Sequence, residues 1–233
     1  MVNLKNQVRR ARHIYRSWRG RDLHVKIQEL RARACLGNDK ASWCVCPNGL
    51  SEESVVYAFG VGTDISFDLE LIRRFGMIVH AFDPTPRSIA WVQSQELPEK
   101  FIFHDYGIGG HDGNVVFHPP ENSSFASYSV LSRGSVTAPA VEGPVFRLAT
   151  IMKTLGHTKI DVLKMDIEGG EYDVLSDLLA SRVPVQQLLV EFHHRWKDVG
   201  LDRTRNAIQN LNQAGFRIFH VSAIGEEYSF LKV

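Results

Sequence analysis

The sequence predicts a doubly wound α/β domain built on a mostly parallel sheet, and three observations predict it. From Val55 onward, short apolar runs alternate with helical patterns, the rhythm of βαβ units. Nearly every apolar run ends in glycine or an acid, where such sheets place their ligands. The last two runs are separated only by a turn around Gly225-Glu226, so the final strand runs antiparallel to its neighbour. A chain of 233 residues suits one such domain with an extension, and two full domains would be cramped.

Residues 1–49 read as a basic N-terminal helical extension and residues 50–233 as the domain. Leu4, Val8, Ile14, Trp18, Val25, Ile27 and Leu30 are only partly helical in spacing, and Gly20 breaks the run. Gly37-Asn38-Asp39 stops it and Pro47-Asn48-Gly49 is a turn. Residues 55–59 form a strand ending at Gly60, and 65–75 a helix capped by Gly76. Residues 77–82 form the second strand, and Pro86 opens a helix to about Gln95. Residues 101–103 make the third strand. Residues 107–145 read as a long loop with at most a small strand at 115–117, a length typical of lids and substrate walls. The rhythm resumes with a helix at 146–155, a strand at 160–165, and a helix after Gly169-Gly170. A strand at 187–192, a helix at 202–214 and strands at 216–221 and 228–233 close the chain.

A hydrophobic fraction of 44% and a charged fraction of 23% are those of an ordinary globular protein. Cys35, Cys44 and Cys46 do not make a disulfide framework and are expected as reduced thiols, without the fourth ligand a tetrahedral metal site needs. No stretch has the apolar length of a membrane helix or the core of a signal peptide, so a cytoplasmic location and no membrane partner are expected. The net charge of +1 conceals an asymmetry. Residues 1–34 carry Lys5, Arg9, Arg10, Arg12, Arg16, Arg19, Arg21, Lys26, Arg31 and Arg33 against Asp22 and Glu29. Such an arm could meet nucleic acid, an anionic surface or a second copy, and a solvated helix is the plainest expectation.

The strand ends hold the chemistry. Gly60, Gly62 and Asp64 follow the first strand, Asp83 the second, and Asp105 and Tyr106 the third. Asp166, Glu168 and Glu171 follow the fourth, and Glu191, His193 and His194 the fifth. So acidic a pocket suits a cationic sulfonium better than an anionic dinucleotide. The third glycine of the dinucleotide fingerprint is replaced by Ile65. Asp83 stands the roughly 20 residues beyond Gly62 at which an acid meets ribose hydroxyls. Lys164 is unusual in a central strand buried on both faces, and an ion pair or a strand-end position explains it.

Four segments carry a family resemblance. Asp161-Val-Leu-Lys-Met-Asp-Ile-Glu-Gly-Gly-Glu171 is the most specific, supported by Tyr57 to Asp68, His80 to Pro86, and Leu189 to His193. They are similar to the FkbM family of S-adenosylmethionine-dependent methyltransferases, in order, over roughly residues 50–233. The resemblance implies a class I methyltransferase fold of seven strands with the last antiparallel. It implies S-adenosylmethionine as cofactor: Gly60, Gly62 and Asp64 at the methionine end, Asp83 at the ribose, and Asp105 and Tyr106 near the adenine. It also implies O-methylation of a small-molecule or sugar hydroxyl.

Methyl transfer is a displacement at an activated carbon, so an oxygen acceptor needs positioning and removal of its proton. Asp166, Glu191 and His193 are expected around that hydroxyl, with His193 or a carboxylate as base and Asp166 also bordering the cofactor. A variant places Mg²⁺ on Asp166 and Glu191, which would lower the acceptor's pKa. The rivals are a nicotinamide-dependent oxidoreductase and a non-catalytic binding module with a nucleic-acid-contacting arm. The partners expected are a small-molecule acceptor and a second copy of the chain, with nucleic acid and membrane not expected.

Overall fold

A computed structural model of the chain describes residues 4–39, 41–120, 127–131 and 139–233. The elements in chain order begin with α1 (Leu4–Trp18), β1 (Ala34–Leu36), β2 (Trp43–Val45), β3 (Val56–Phe59), α2 (Ser66–Phe75), β4 (Val79–Phe82) and α3 (Pro86–Gln93). Next come β5 (Phe101–His104), β6 (Gly107–Ile108), β7 (Gly113–Phe117), β8 (Val141–Phe146), α4 (Leu148–Leu155) and β9 (Ile160–Met165). The chain closes with α5 (Glu171–Ala180), β10 (Val185–Glu191), α6 (Gly200–Gln213), β11 (Phe216–Val221) and β12 (Glu227–Lys232).

The central sheet has seven strands in the order β11-β12-β10-β9-β3-β4-β5. Strand β12 is antiparallel to both neighbours, and β10, β9, β3, β4 and β5 pair in parallel. This is the class I methyltransferase arrangement implied by the sequence. The order reverses between β3 and β9, which leaves a crevice beyond their carboxyl ends. Successive side chains alternate between faces. Tyr57, Phe59, Leu163, Met165, Leu188 and Val190 pack on the face covered by α4, α5 and α6. Val56, Ala58, Val162 and Leu189 pack on the opposite face, with α2 and the β1–β2 hairpin.

That hairpin corrects the expected domain boundary. Ala34, Leu36, Trp43 and Val45 are core residues packed on the sheet, so the division at residue 49 cuts through the domain. Buried Gln187 holds the hairpin by both ends of its amide: Cys46 N–H donates to Oε1, and Nε2 donates to the Cys46 carbonyl, each at 2.8 Å. Ser229 Oγ donates to the Cys44 carbonyl at 2.7 Å. Among the described residues of the extension only α1 is helical; Gln28 and Glu29 then run beside edge strand β11, both N–H groups meeting the Ile218 carbonyl. The expectation of three reduced thiols is also overturned. Cys35 and Cys44 face each other across the hairpin and form a disulfide, and Cys46 is free and buried. Disulfides persist in oxidising compartments, which counts against the cytoplasmic expectation.

Within residues 107–145, where 121–126 and 132–138 lie outside the described residues, the described ones are not simply a long loop. Strands β6, β8 and β7 make a small separate sheet, in that order, and Phe117 from it borders the crevice. Among the described residues, no helix is long and apolar enough to cross a membrane.

Candidate active site

A cavity of about 590 Å³ opens at the switch point, within the size range of small-molecule sites. One end is the glycine turn after β3. Gly60 has φ +81°, and a Cβ there would come within 1.7 Å of the Asp166 carbonyl oxygen, so only glycine allows the chain after β3 and the chain after β9 to approach this closely. Asp83 braces the turn from β4: its Oδ2 accepts from Gly62 N–H at 3.0 Å, and its Oδ1 accepts from Thr85 N–H and Oγ1 at 2.9 and 2.6 Å. A carboxylate offers about four acceptor directions, so roughly one remains for a ligand hydroxyl. Asp64 accepts from Ser66 N–H at 3.0 Å and from Asn38 Nδ2 at 2.6 Å. Burial acts to raise its pKa, but the Ser66 and Asn38 donors outweigh that and hold it low.

Two expected contacts fall elsewhere. Asp105 is exposed, and neither it nor Tyr106 borders the cavity. The Tyr106 ring packs among Phe82, His104 and Phe146, with centroids 5.3–5.4 Å apart. Gly107 and Ile108 take their place on the wall, because the chain turns after β5 and carries Tyr106 into the aromatic cluster.

Below the glycine turn lies a pair of charges that sequence reasoning did not place in the site. Lys164 is buried, donates to the Gly60 carbonyl at 3.1 Å and lies 5.3 Å over the Trp43 ring. Asp68, in the first turn of α2, is 3% exposed and its Oδ1 has no hydrogen-bond partner. Burial pushes its pKa up to about 6, against the opposing pull of Lys164. Both residues border the cavity. The signal for Lys164 was its charge in a central strand; a first-turn Asp gave none, since helix starts favour acids anyway.

Beside the glycine turn, the carboxyl ends of β9 and β10 gather the predicted catalytic residues. Asp166, Glu191 and His193 each bring a donor atom within 4.8 Å of the others. Burial raises the Glu191 pKa well above the usual carboxyl range, and the nearby Asp166 and Glu227 charges raise it further. Glu227, on β12, is raised for similar reasons, burial first. Asp166 Oδ1 has no hydrogen-bond partner. His193 Nδ1 lies 3.0 Å from Glu171 Oε1, and its Nε2 lies 3.4 Å from Glu168 Oε2 and 4.0 Å from Asp166 Oδ1. Burial disfavours the imidazolium, but Glu171, Glu168 and Asp166 overcome it and raise the pKa to about 9. A protonated ring offers no lone pair to a metal and accepts no proton at neutral pH. His194 points elsewhere, 2.7 Å from Asp22 in a wholly buried pair. Glu171, also wholly buried, accepts from Ile167 and Gly169 N–H and so fixes the turn that delivers Asp166.

The model of the methyltransferase FkbM domain matches residues 54–218. The probable methyltransferase-like protein 24 of Homo sapiens is 29% identical over 176 residues, covering 71% of this chain and 42% of that protein. Its Rattus norvegicus counterpart is 29% identical over 196 residues, covering 76% and 48%. The hexuronic acid methyltransferase AglP of Haloferax volcanii is 26% identical over 117 residues, covering 49% and 47%. The chain thus spans less than half the length of these relatives. Among solved structures, the Methanococcus jannaschii fibrillarin pre-rRNA processing protein aligns at a TM-score of 0.48 and 12% identity, covering 89% of this chain and 86% of that one.

Proposed function

The chain belongs to the methyltransferase FkbM domain family, and from that premise we propose that it transfers the methyl group of S-adenosylmethionine to a hydroxyl oxygen of a small molecule or sugar. The carrying observation is one cavity bordered by the glycine turn after β3 and, beside that turn, by the Asp166 and Glu191 carboxyls.

The residues present fit the cofactor. Gly60 and Gly62 make a tight turn on the cavity wall, and Gly60 packs against the Asp166 backbone where any Cβ would collide. Asp83 retains one acceptor direction for a ribose hydroxyl. Asp68 and Lys164 present opposite charges for the ammonium and carboxylate of an amino-acid end. The bound cofactor supplies a methyl group already activated by a sulfonium. The acid-rich cavity favours that positive charge through Coulomb attraction in a poorly screened site.

The chain's own task is the acceptor. The Asp166 carboxylate, on the cavity wall, would accept the hydrogen bond of the acceptor hydroxyl and take its proton. Glu191, whose pKa burial and the Asp166 charge raise, would hold a proton, donate it in a hydrogen bond to Asp166 and orient it. His193, a cation under the cluster, offsets the gathered negative charge rather than serving as base. General base catalysis of this kind contributes roughly 10²–10⁴-fold. Magnesium has no part in this reading, and turnover is expected to survive a chelator.

The Haloferax volcanii relative acts, by its name, on hexuronic acid, so glycosides of hexuronic acids are the first acceptors to try. Methyl transfer to such a panel, followed by mass spectrometry, tests the reading. Calorimetry should show binding of S-adenosylmethionine and none of nicotinamide cofactors. Failure to bind S-adenosylmethionine sinks the proposal, and wild-type turnover in Asp166→Asn removes Asp166 as base.

A further inference from the structure

Helix α1 sits on the body with its faces reversed. An amphipathic surface helix ordinarily turns its apolar stripe inward. Here the polar side faces the body. Arg9 donates to the Asp39 carbonyl at 3.4 Å, and His13 Nδ1 and Arg16 Nε lie 3.4 and 3.6 Å from Asp22 Oδ2. The His13 ring lies so close over Gly225 that a Cβ there would come within 2.2 Å of it. Asp22 is wholly buried and is also held by His194 and Arg195, so the helix rests on a fixed point.

The outward face carries Leu4, Val8, Tyr15 and Trp18, exposed by 73, 57, 60 and 79%. With Ala11 they recur every three or four residues, as one continuous stripe requires. No residue of α1 is buried, and the helix contains Lys5, Arg9, Arg10, Arg12 and Arg16 without a single Asp or Glu. Lys5 and Arg12 border the stripe along one side, and Arg19 continues that row just past the helix end.

We infer that α1 is a docking surface for an anionic lipid bilayer, lying in the plane of the interface with its stripe toward the acyl chains. A stripe of Leu, Val, Tyr and Trp beside an unbroken row of cations has the composition of an interfacial helix. The Tyr15 and Trp18 rings, 6.4 Å apart, suit headgroup depth, where amphipathic rings collect. A second copy packed antiparallel on the same stripe would bring Lys5, Arg12 and Arg19 against their own counterparts, a like-charge arrangement. Nucleic acid would use the cations and leave the apolar residues uncovered. Arg9 also ties α1 to the hairpin loop whose Ala41 borders the active-site cavity. The expectation of no membrane partner rested on the absence of a spanning helix; a helix lying on the surface is a different case.

The test is co-sedimentation of the full chain with phosphatidylcholine vesicles, with and without phosphatidylserine, over a salt series. The expected result is binding only to the phosphatidylserine vesicles, weakened by salt, with a blue shift in tryptophan emission. Val8→Glu with Trp18→Ser should cut binding by roughly tenfold or more at an unchanged melting temperature, since both side chains are exposed. Replacing Arg12 and Arg19 by Gln should weaken binding and flatten its salt dependence. Three outcomes overturn the inference: no binding at low salt, equal binding by the Val8→Glu/Trp18→Ser protein, or light scattering that shows a dimer abolished by that pair. Retention on nucleic acid without binding to vesicles overturns it as well.

Discussion

His193 Nδ1 and Glu171 Oε1 stand 3.0 Å apart, both side chains nearly or fully removed from water, and this contact decides the role of the histidine. With its pKa raised to about 9, the ring is an imidazolium at neutral pH. His193→Gln should therefore leave Glu171 as a buried charge without its cation and lower stability by roughly 3 kcal/mol, as breaking such pairs does. Urea denaturation at pH 7 measures it. A shift near zero would mean that the ring is neutral and the base role is open to it again.

The pH dependence of stability has two histidine signatures of opposite sign. The folded pKa of His193 exceeds the unfolded 6.5, so its contribution is complete below pH 6.5 and lost as pH rises through about 9. Burial lowers His80 to about 4, helped by the neighbouring His104 and His157, so its contribution is present above 6.5 and lost as pH falls toward 4. Melting temperature should decline on both sides of pH 6.5. His193→Gln should flatten the alkaline decline and leave the acid one.

Asp68 and Lys164 are expected to recognise the amino-acid end of the cofactor. Asp68→Asn and Lys164→Met should each weaken S-adenosylhomocysteine by 10- to 100-fold, the range set by hydrogen bonds to charged groups. Methylthioadenosine, which lacks the amino acid, should bind both variants and the wild type alike. Equal losses for the two ligands would place the effect in folding instead.

Gly60 and Gly156 make a controlled pair. Both have positive φ, but a Cβ on Gly60 meets the Asp166 carbonyl at 1.7 Å whereas one on Gly156 meets nothing within 4 Å. Gly156→Ala should cost about 1 kcal/mol of backbone strain. Gly60→Ala should cost several times more and abolish cofactor binding, read by thermal melts and calorimetry.

The sheet was legible because each strand's apolar run and its terminal glycine or acid lie together in sequence. Asp83, Asp166, Glu191 and His193 followed from that rule and do converge on one region of the fold. What sequence hid depends on orientation rather than position. Asp105 and Tyr106 follow a strand as Asp83 does, yet the turn after β5 sends Tyr106 into an aromatic cluster and Asp105 to solvent. Asp68 had the appearance of an ordinary helix-start acid. The three-residue strands β1 and β2 were too short to show alternation, so the hairpin and its cysteine pairing had no sequence signature.

The Cys35–Cys44 disulfide should matter to the cofactor as well as to the fold. It closes a sequence separation of 9 residues. A loop of that length is worth roughly 2–3 kcal/mol in the chain-entropy account. Inside it, Asn38 donates to Asp64 in the glycine turn, and Ala41 borders the cavity. Opening the bridge therefore frees a segment that braces the cofactor end of the site, while Asp166 and Glu191, held by β9, β10 and the Glu171 turn, keep their places. Cys35→Ser/Cys44→Ser should melt lower and bind S-adenosylhomocysteine several-fold more weakly, with turnover at saturating cofactor changed little. Thiol titration of the unfolded wild type should find one reactive cysteine, Cys46, before reduction and all three after it. Three reactive thiols before reduction would restore the reduced state that the sequence suggested.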